Sequence, residues 1–424
     1  MQAIPTPFLL VPSDGPKTMR GLQRKLRLYT ARWLLTYPTQ ILSKPLQKSM
    51  NRVLAVLQDS LKVHGPAFLE ALGNPDVMTP LLVLDSRLGD PEILLPEAIP
   101  PLLAELSARR ALTESVFWDI PFDRLIDSHG RRVLVFDQKV VAMVADPSGL
   151  SIQLSDGRKL DIPHAPKMPE EIEGVSLLRP FHTIDPAMPH LYLSEVDSNP
   201  LWKYEAHPEK TGNEVDLGGH SVEEWTTAYR EALELIRIGL PEWYDEMPHS
   251  IERVLPVGYE AQRHLSASYR EAPMVAYFTL HPDPVTLAEA LVHETQHGKL
   301  NVLLRLDPVL KNGLSCWTES PVRPDLRPLL GVLLAVHAFV PVAAMHMRLA
   351  DANYPVQDEM RFLRRRAQVI AGNTRGMQIV NDLGEWTKVG DRMLAGLNEL
   401  HDFTTERAPE APKGMDLEDA LPPG

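Results

Sequence analysis

Leu291-Val292-His293-Glu294-Thr295-Gln296-His297-Gly298-Lys299-Leu300 carries an HExxH motif inside a helix-forming sequence, and the rest of the chain is read outward from it. Residues four apart project from one face of a helix, so His293 and His297 stand side by side, about 6 Å apart at Cβ. Two imidazoles so placed can close on one metal ion, while Glu294, one step round, points along the edge of the site. Upstream, His281-Pro282-Asp283-Pro284 breaks the chain, and Thr286-Leu287-Ala288-Glu289 has the form of a capping box. A helix over about 286–306 is predicted, with Leu287, Leu291, Leu300, Leu303 and Leu304 burying one side.

A metal held by such a pair needs a third ligand, and the two common peptidase patterns do not fit. No His follows in the HExxHxxGxxH spacing, and Glu319 lies beside Ser320-Pro321 and Arg323-Pro324, which read as loop. His337 is the better candidate. Residues 328–347 are apolar almost all round, which predicts a buried central helix rather than a membrane span, since the run is short and holds Pro341 and two His. A buried imidazole requires partners for its ring nitrogens or costs about 1–3 kcal/mol. A metal ion would satisfy one nitrogen; a carbonyl or carboxylate is the alternative. His346 lies half a turn out of phase with His337, so the two do not serve one ion.

The motif, together with Trp317, Arg323-Pro324-Asp325, Arg327-Pro328, Leu330-Gly331 and Val336-His337-Ala338-Phe339, resembles the HExxH-motif proteins of ribosomal-peptide biosynthesis. The likeness covers about 265–339, with a weaker echo at Pro180-Phe181-His182 and Leu191-Tyr192-Leu193-Ser194. It implies an iron- and 2-oxoglutarate-dependent peptide β-hydroxylase, in which His293 and His297 are metal ligands and His337 takes the distal place. Fe(II) must then keep about half of an octahedral shell open for a bidentate 2-oxo acid and O2. Glu294 becomes a ligand or a supporting group. The distal carboxylate of 2-oxoglutarate calls for a cation, preferably a planar guanidinium, and Arg323 and Arg327 are the expected ones. Under the alternative of a zinc peptidase, Glu294 is the base that deprotonates bound water. A non-catalytic peptide-binding partner is the third reading.

The full chain has 424 residues, a net charge of -13 and one cysteine, Cys316. The acidic balance argues against a general nucleic-acid binder, and the single cysteine excludes an internal disulfide and fits a reducing cytoplasm. Pro7-Phe8-Leu9-Leu10-Val11-Pro12 is too short for a secretion signal. The expected partners are a precursor peptide and other peptide-maturation enzymes, with no nucleic acid and no membrane. Residues 19–72 read as helices with a basic bias, from Lys17, Arg20, Arg24, Lys25, Arg27 and Arg32 to Lys44, Lys48, Arg52 and Lys62, suited to an acidic partner. Further helix and loop follow over 74–111, broken at Pro96, Pro100 and Pro101. The runs 132–136, 140–144 and 151–154, divided by turn-prone residues at 137–139 and 147–149, predict an antiparallel meander to which 191–194 adds a strand. Ser221-Val222-Glu223-Glu224 is a capping box opening a helix to about Gly239. A strand over 264–280 carries Ser266 and Ser268 on one face, and helices at 356–369 and 377–400 close the chain. The expectation is a mainly helical α+β protein: an N-terminal helical region (1–120), a β-rich middle (121–215), a helical HExxH region (216–403) and a disordered tail (404–424).

Overall fold

The N-terminal helices are α1 (Pro16–Leu35), α2 (Lys44–Leu72), α3 (Pro75–Asp85) and α4 (Pro91–Ala108). Asn74 and Asp90 start the last two by accepting the backbone N–H groups of Asp76 and Glu92. Pro96, Pro100 and Pro101 do not break the chain as expected: α4 runs through all three. Its Leu95, Ile99, Leu102, Leu103 and Leu106 are fully buried, and this burial offsets the helix bonds that proline removes. The computed structural model describes residues 16–164, 171–204, 206–207, 210–320, 325–355 and 359–408.

A six-stranded antiparallel sheet follows, built from β1 (Val116–Trp118), β2 (Phe122–Asp127), β3 (Arg132–Asp146), β4 (Gly149–Leu154), β5 (Lys159–Pro163) and β6 (Val175–Leu178). The predicted turn at Asp137-Gln138-Lys139 is absent. Those residues are an exposed stretch within one long strand, whose first half pairs β2 and β6 and whose second half pairs β1 and β4. This sheet shares a single core with α2, α3 and α4, so the boundary expected at residue 120 is not a division between cores.

The second sheet is mixed, with order β12-β13-β11-β8-β7. Its strands are β7 (Phe181–Thr183), β8 (Tyr192–Ser194), β11 (Ile251–Tyr259), β12 (Ser266–Ser268) and β13 (Met274–Leu280), after a small β9 (Ala206–His207) and β10 (Lys210–Thr211) ribbon. The strand expected at 191–194 therefore belongs here, parallel to β11, and not to the meander. The strand expected over 264–280 is two antiparallel strands with a turn between them. Before β11, the Ser221 capping box opens α5 (Val222–Gly239) as predicted, and a short α6 (Pro241–Glu246) follows. Gly218, at φ +65, lets the chain turn into that box; a Cβ there would lie 2.5 Å from the Tyr259 backbone nitrogen.

The remaining elements are α7 (Pro284–Leu304), a ribbon of β14 (Trp317–Glu319) and β15 (Leu326–Pro328), then α8 (Leu329–Asp351), α9 (Met360–Leu383) and α10 (Lys388–Thr405). Glu319 is thus a strand residue and not loop. The last two helices divide at Gly384 rather than between 369 and 377. Thr404, expected in a disordered tail, is fully buried in α10, and the tail from 409 lies outside the described residues. The helix α8 is long and apolar enough to cross a membrane by length and composition, and 72% of its most apolar window is buried by its neighbours. As expected, it is the centre of the C-terminal core. That core also takes Met19, Leu22 and Leu26 of α1, so the first helix belongs partly with the motif region. At 53% helix, the protein is of the mainly helical α+β class.

Polar contacts join the two halves. Arg253 of β11 and Asp76 of α3 form an ion pair at 2.6 Å with both side chains buried, and Ser128 and Ser198 hydroxyls also donate to Asp76. Nearby, Asp197 accepts from the Tyr277 hydroxyl and the Asn199 N–H, yet burial, together with the Asp76 charge, pushes its carboxyl up from 3.8 to about 6 despite those bonds and Arg253. A folded value above the unfolded one means that stability is fully present below about pH 3.8 and is lost as pH rises through about 6. Asp197→Asn should therefore show a smaller fall in thermal midpoint between pH 4 and pH 6 than the wild type, at about these pH values. Parallel pH profiles for the two proteins would contradict this.

Candidate metal centre

Helix α7 begins one turn earlier than the expected capping box. Asp283 is the cap, accepting the Val285 N–H and the Thr286 hydroxyl, and Pro284 occupies the first turn without loss of a bond. Glu289, expected to close the box, instead turns inward. It accepts from Arg365 Nε at 2.8 Å and lies 2.8 Å from His346 Nε2 on α8. Burial opposes its charge, but Arg365 and His346 outweigh that and hold the carboxyl at about 2. Leu287, Leu291, Leu300 and Leu303 are buried as predicted.

Mid-helix, the rings of His293 and His297 stand 4.3 Å apart between centroids, edge to face. Each side chain is partly covered, and each has a buried Nδ1 with no hydrogen-bond partner among the described residues. Burial, the neighbouring His297 and Arg365 hold His293 well below the ordinary imidazole range, and burial alone brings His297 to about 4. Both rings are therefore neutral at pH 7, the form that ligates metals. The chemistry of this donor pair fits a divalent transition ion.

Glu294 is buried and faces the sheet, with its Oε1 accepting from the Ser266 hydroxyl at 2.6 Å. Ser266 thus has a definite role on its strand, that of holding the motif carboxylate. Helix α8 packs along α7: Gln296 Nε2 donates to the His337 carbonyl at 3.1 Å, and the Phe339 ring lies 4.6 Å from that of His293. His337 is fully buried, as predicted, but among the described residues no group of three or more His, Cys, Asp or Glu is placed to hold a metal. The structure brings His293 and His297 together; it does not gather His337 with them as a ligand set.

Arg323 lies outside the described residues, and Arg327 on β15 pairs with Asp325 at 3.3 Å. Arg365 of α9, bound to Glu289, lies near the pair: its guanidinium sits 5.7 Å over the Phe339 ring that contacts His293. It stands in an Arg364-Arg365-Arg366 run whose only sequence signal is charge on a helix, and nothing in that run says which arginine turns inward. Lys299 was equally hidden. Two residues beyond the motif, it is fully buried and paired with Glu246 of α6 at 2.8 Å. The two neutral imidazoles of His293 and His297 are the groups here that could hold a metal ion, and Glu294 beside them on the helix is fixed by Ser266. No family model matches this chain, and no curated protein matches it either.

Proposed function

We propose that this chain is an Fe(II)- and 2-oxoglutarate-dependent oxygenase that hydroxylates a β-carbon of a ribosomally synthesised precursor peptide. The observation that carries the metal part is the pair of neutral, partly covered imidazoles of His293 and His297, each with a buried nitrogen that has no hydrogen-bond partner among the described residues. The iron, the 2-oxo acid and the peptide rest on the likeness of residues 265–339 to the HExxH peptide hydroxylases. When bound, iron would couple O2 and the 2-oxo acid to oxidation of a C–H bond. The chain's own groups would do the rest. His293 and His297 would hold the ion, and His337 would complete the set if its ring turns towards the pair when metal enters. Phe339 packs on one side of the His293 ring, and Arg365, held by Glu289, sets a positive charge near it. The partners would be the precursor peptide and other maturation enzymes, in the cytoplasm.

A zinc peptidase is the second reading, favoured by the burial of Glu294 beside a strand at the edge of a sheet. The two separate on one substitution. Glu294→Gln should retain metal in both cases, but it should abolish hydrolysis in a peptidase and leave peptide-stimulated succinate release from 2-oxoglutarate within about tenfold of wild type in the oxygenase. Absence of succinate from iron-loaded wild type given a cognate precursor would overturn the oxygenase reading.

A further inference from the structure

The strand β12 ends the five-stranded sheet, and among the described residues no strand lies beyond it. Its register fixes which backbone groups point outward. Leu265 accepts the Thr279 N–H across the pair, and Ala267 stands opposite Tyr277. Bonded and non-bonded pairs alternate in an antiparallel ladder, so the N–H and C=O groups of Ser266 and Ser268 turn away from β13. All three residues of β12 are partly exposed. Unpaired edge groups are a template for another extended backbone, and proteins that do not use them usually block them with proline, lysine or a bulge. None of these stands in Ser266-Ala267-Ser268.

The side chains of the same strand tie this edge to the motif helix. Ser266 and Ser268 share one face of the strand, the face on which Ser266 reaches Glu294. The Ser268 hydroxyl is buried and has no hydrogen-bond partner among the described residues.

We propose that the outer edge of β12 binds an extended peptide as a sixth strand, through the backbone of Ser266 and Ser268, and so lays it alongside Glu294 of the HExxH helix. That the bound peptide is the substrate rests on the function proposed above; the binding itself does not. The edge supplies recognition through main-chain bonds and is therefore tolerant of sequence.

The test uses full-length, metal-free protein and a pool of capped seven-residue peptides of random sequence. Retained peptides are resynthesised with single N-methyl groups. Methylation at alternate residues, those whose N–H would face β12, should weaken binding at least about tenfold, and methylation at the intervening residues should not. Ser268→Pro removes an outward N–H and leaves the ladder to β13 intact, and it should lose a similar factor. No retained peptide, equal effects at every methylated position, or unchanged binding by Ser268→Pro would each overturn the proposal. Metal affinity is titrated separately on the same protein. Peptide binding at this edge by a chain that takes up no metal would uphold the strand addition and defeat the metal reading.

Discussion

Replacing either histidine of the pair, His293→Ala or His297→Ala, should lower affinity for a divalent transition ion at least about a hundredfold. Loss of groups that merely support metal ligands costs roughly 10–100-fold, and here a ligand itself is removed. The geometry leaves no substitute close at hand, because among the described residues no third His, Cys, Asp or Glu groups with the pair. The effect should be specific to metal. Both rings are neutral and partly covered, so alanine removes no ion pair, and apo stability should change far less than affinity. Competition titration with a chromogenic chelator reads the affinity, and an unchanged value in either variant would remove the metal centre. The same titration on His337→Ala decides the third ligand: a comparable loss means that the ring turns to the ion, and unaltered metal content means that it does not.

The largest stability effect should come from Asp76→Ala, which leaves the Arg253 guanidinium buried without its carboxylate. Breaking one side of such a pair costs about 3–5 kcal/mol. Burial pushes the Asp76 carboxyl up, but Arg253 and the Ser128 and Ser198 hydroxyls outweigh it and hold the group below its ordinary value of 3.8. With the folded value depressed, this stabilisation is present above about pH 4 and is lost as pH falls through the folded value. Because the pair bridges α3 and β11, its loss should loosen both halves together. Denaturant unfolding at pH 7 checks this. Asp76→Ala paired with Arg253→Met should recover much of the loss, since the unpaired charge is then gone. A cost below about 1 kcal/mol for Asp76→Ala alone would contradict the account.

Periodicity makes several elements legible in the sequence alone. The motif helix, the apolar α8 and the Ser221 cap each show a local pattern that tertiary context does not reverse. What escaped reading depends on contacts distant in sequence. Asp137-Gln138-Lys139 looks like a turn because it is polar, but both halves of β3 find partners and the stretch stays extended as an exposed run. Prolines that stop an exposed helix are carried through α4 by burial on nearly every face. Glu289 has the spacing of a capping glutamate and is claimed by Arg365, 76 positions away. The same limit applies at the site. His293 and His297 are adjacent by helix geometry alone, whereas Arg365 reaches Glu289 and the Phe339 ring beside His293 only because α9 packs on α8. Arg27, read as part of a basic surface, is partly buried over Gly73, while Lys17, Arg20, Arg24 and Lys25 are exposed.

The central claim is most directly tested by the mass of a cognate precursor peptide after incubation with iron-loaded protein, 2-oxoglutarate and air, beside a zinc-loaded control. The account predicts a gain of about one oxygen mass that requires both iron and 2-oxoglutarate and disappears in His293→Ala. Cleavage of the peptide by the zinc-loaded protein, with no oxygen gained in the iron-loaded one, would contradict it and make Glu294 the base of a peptidase.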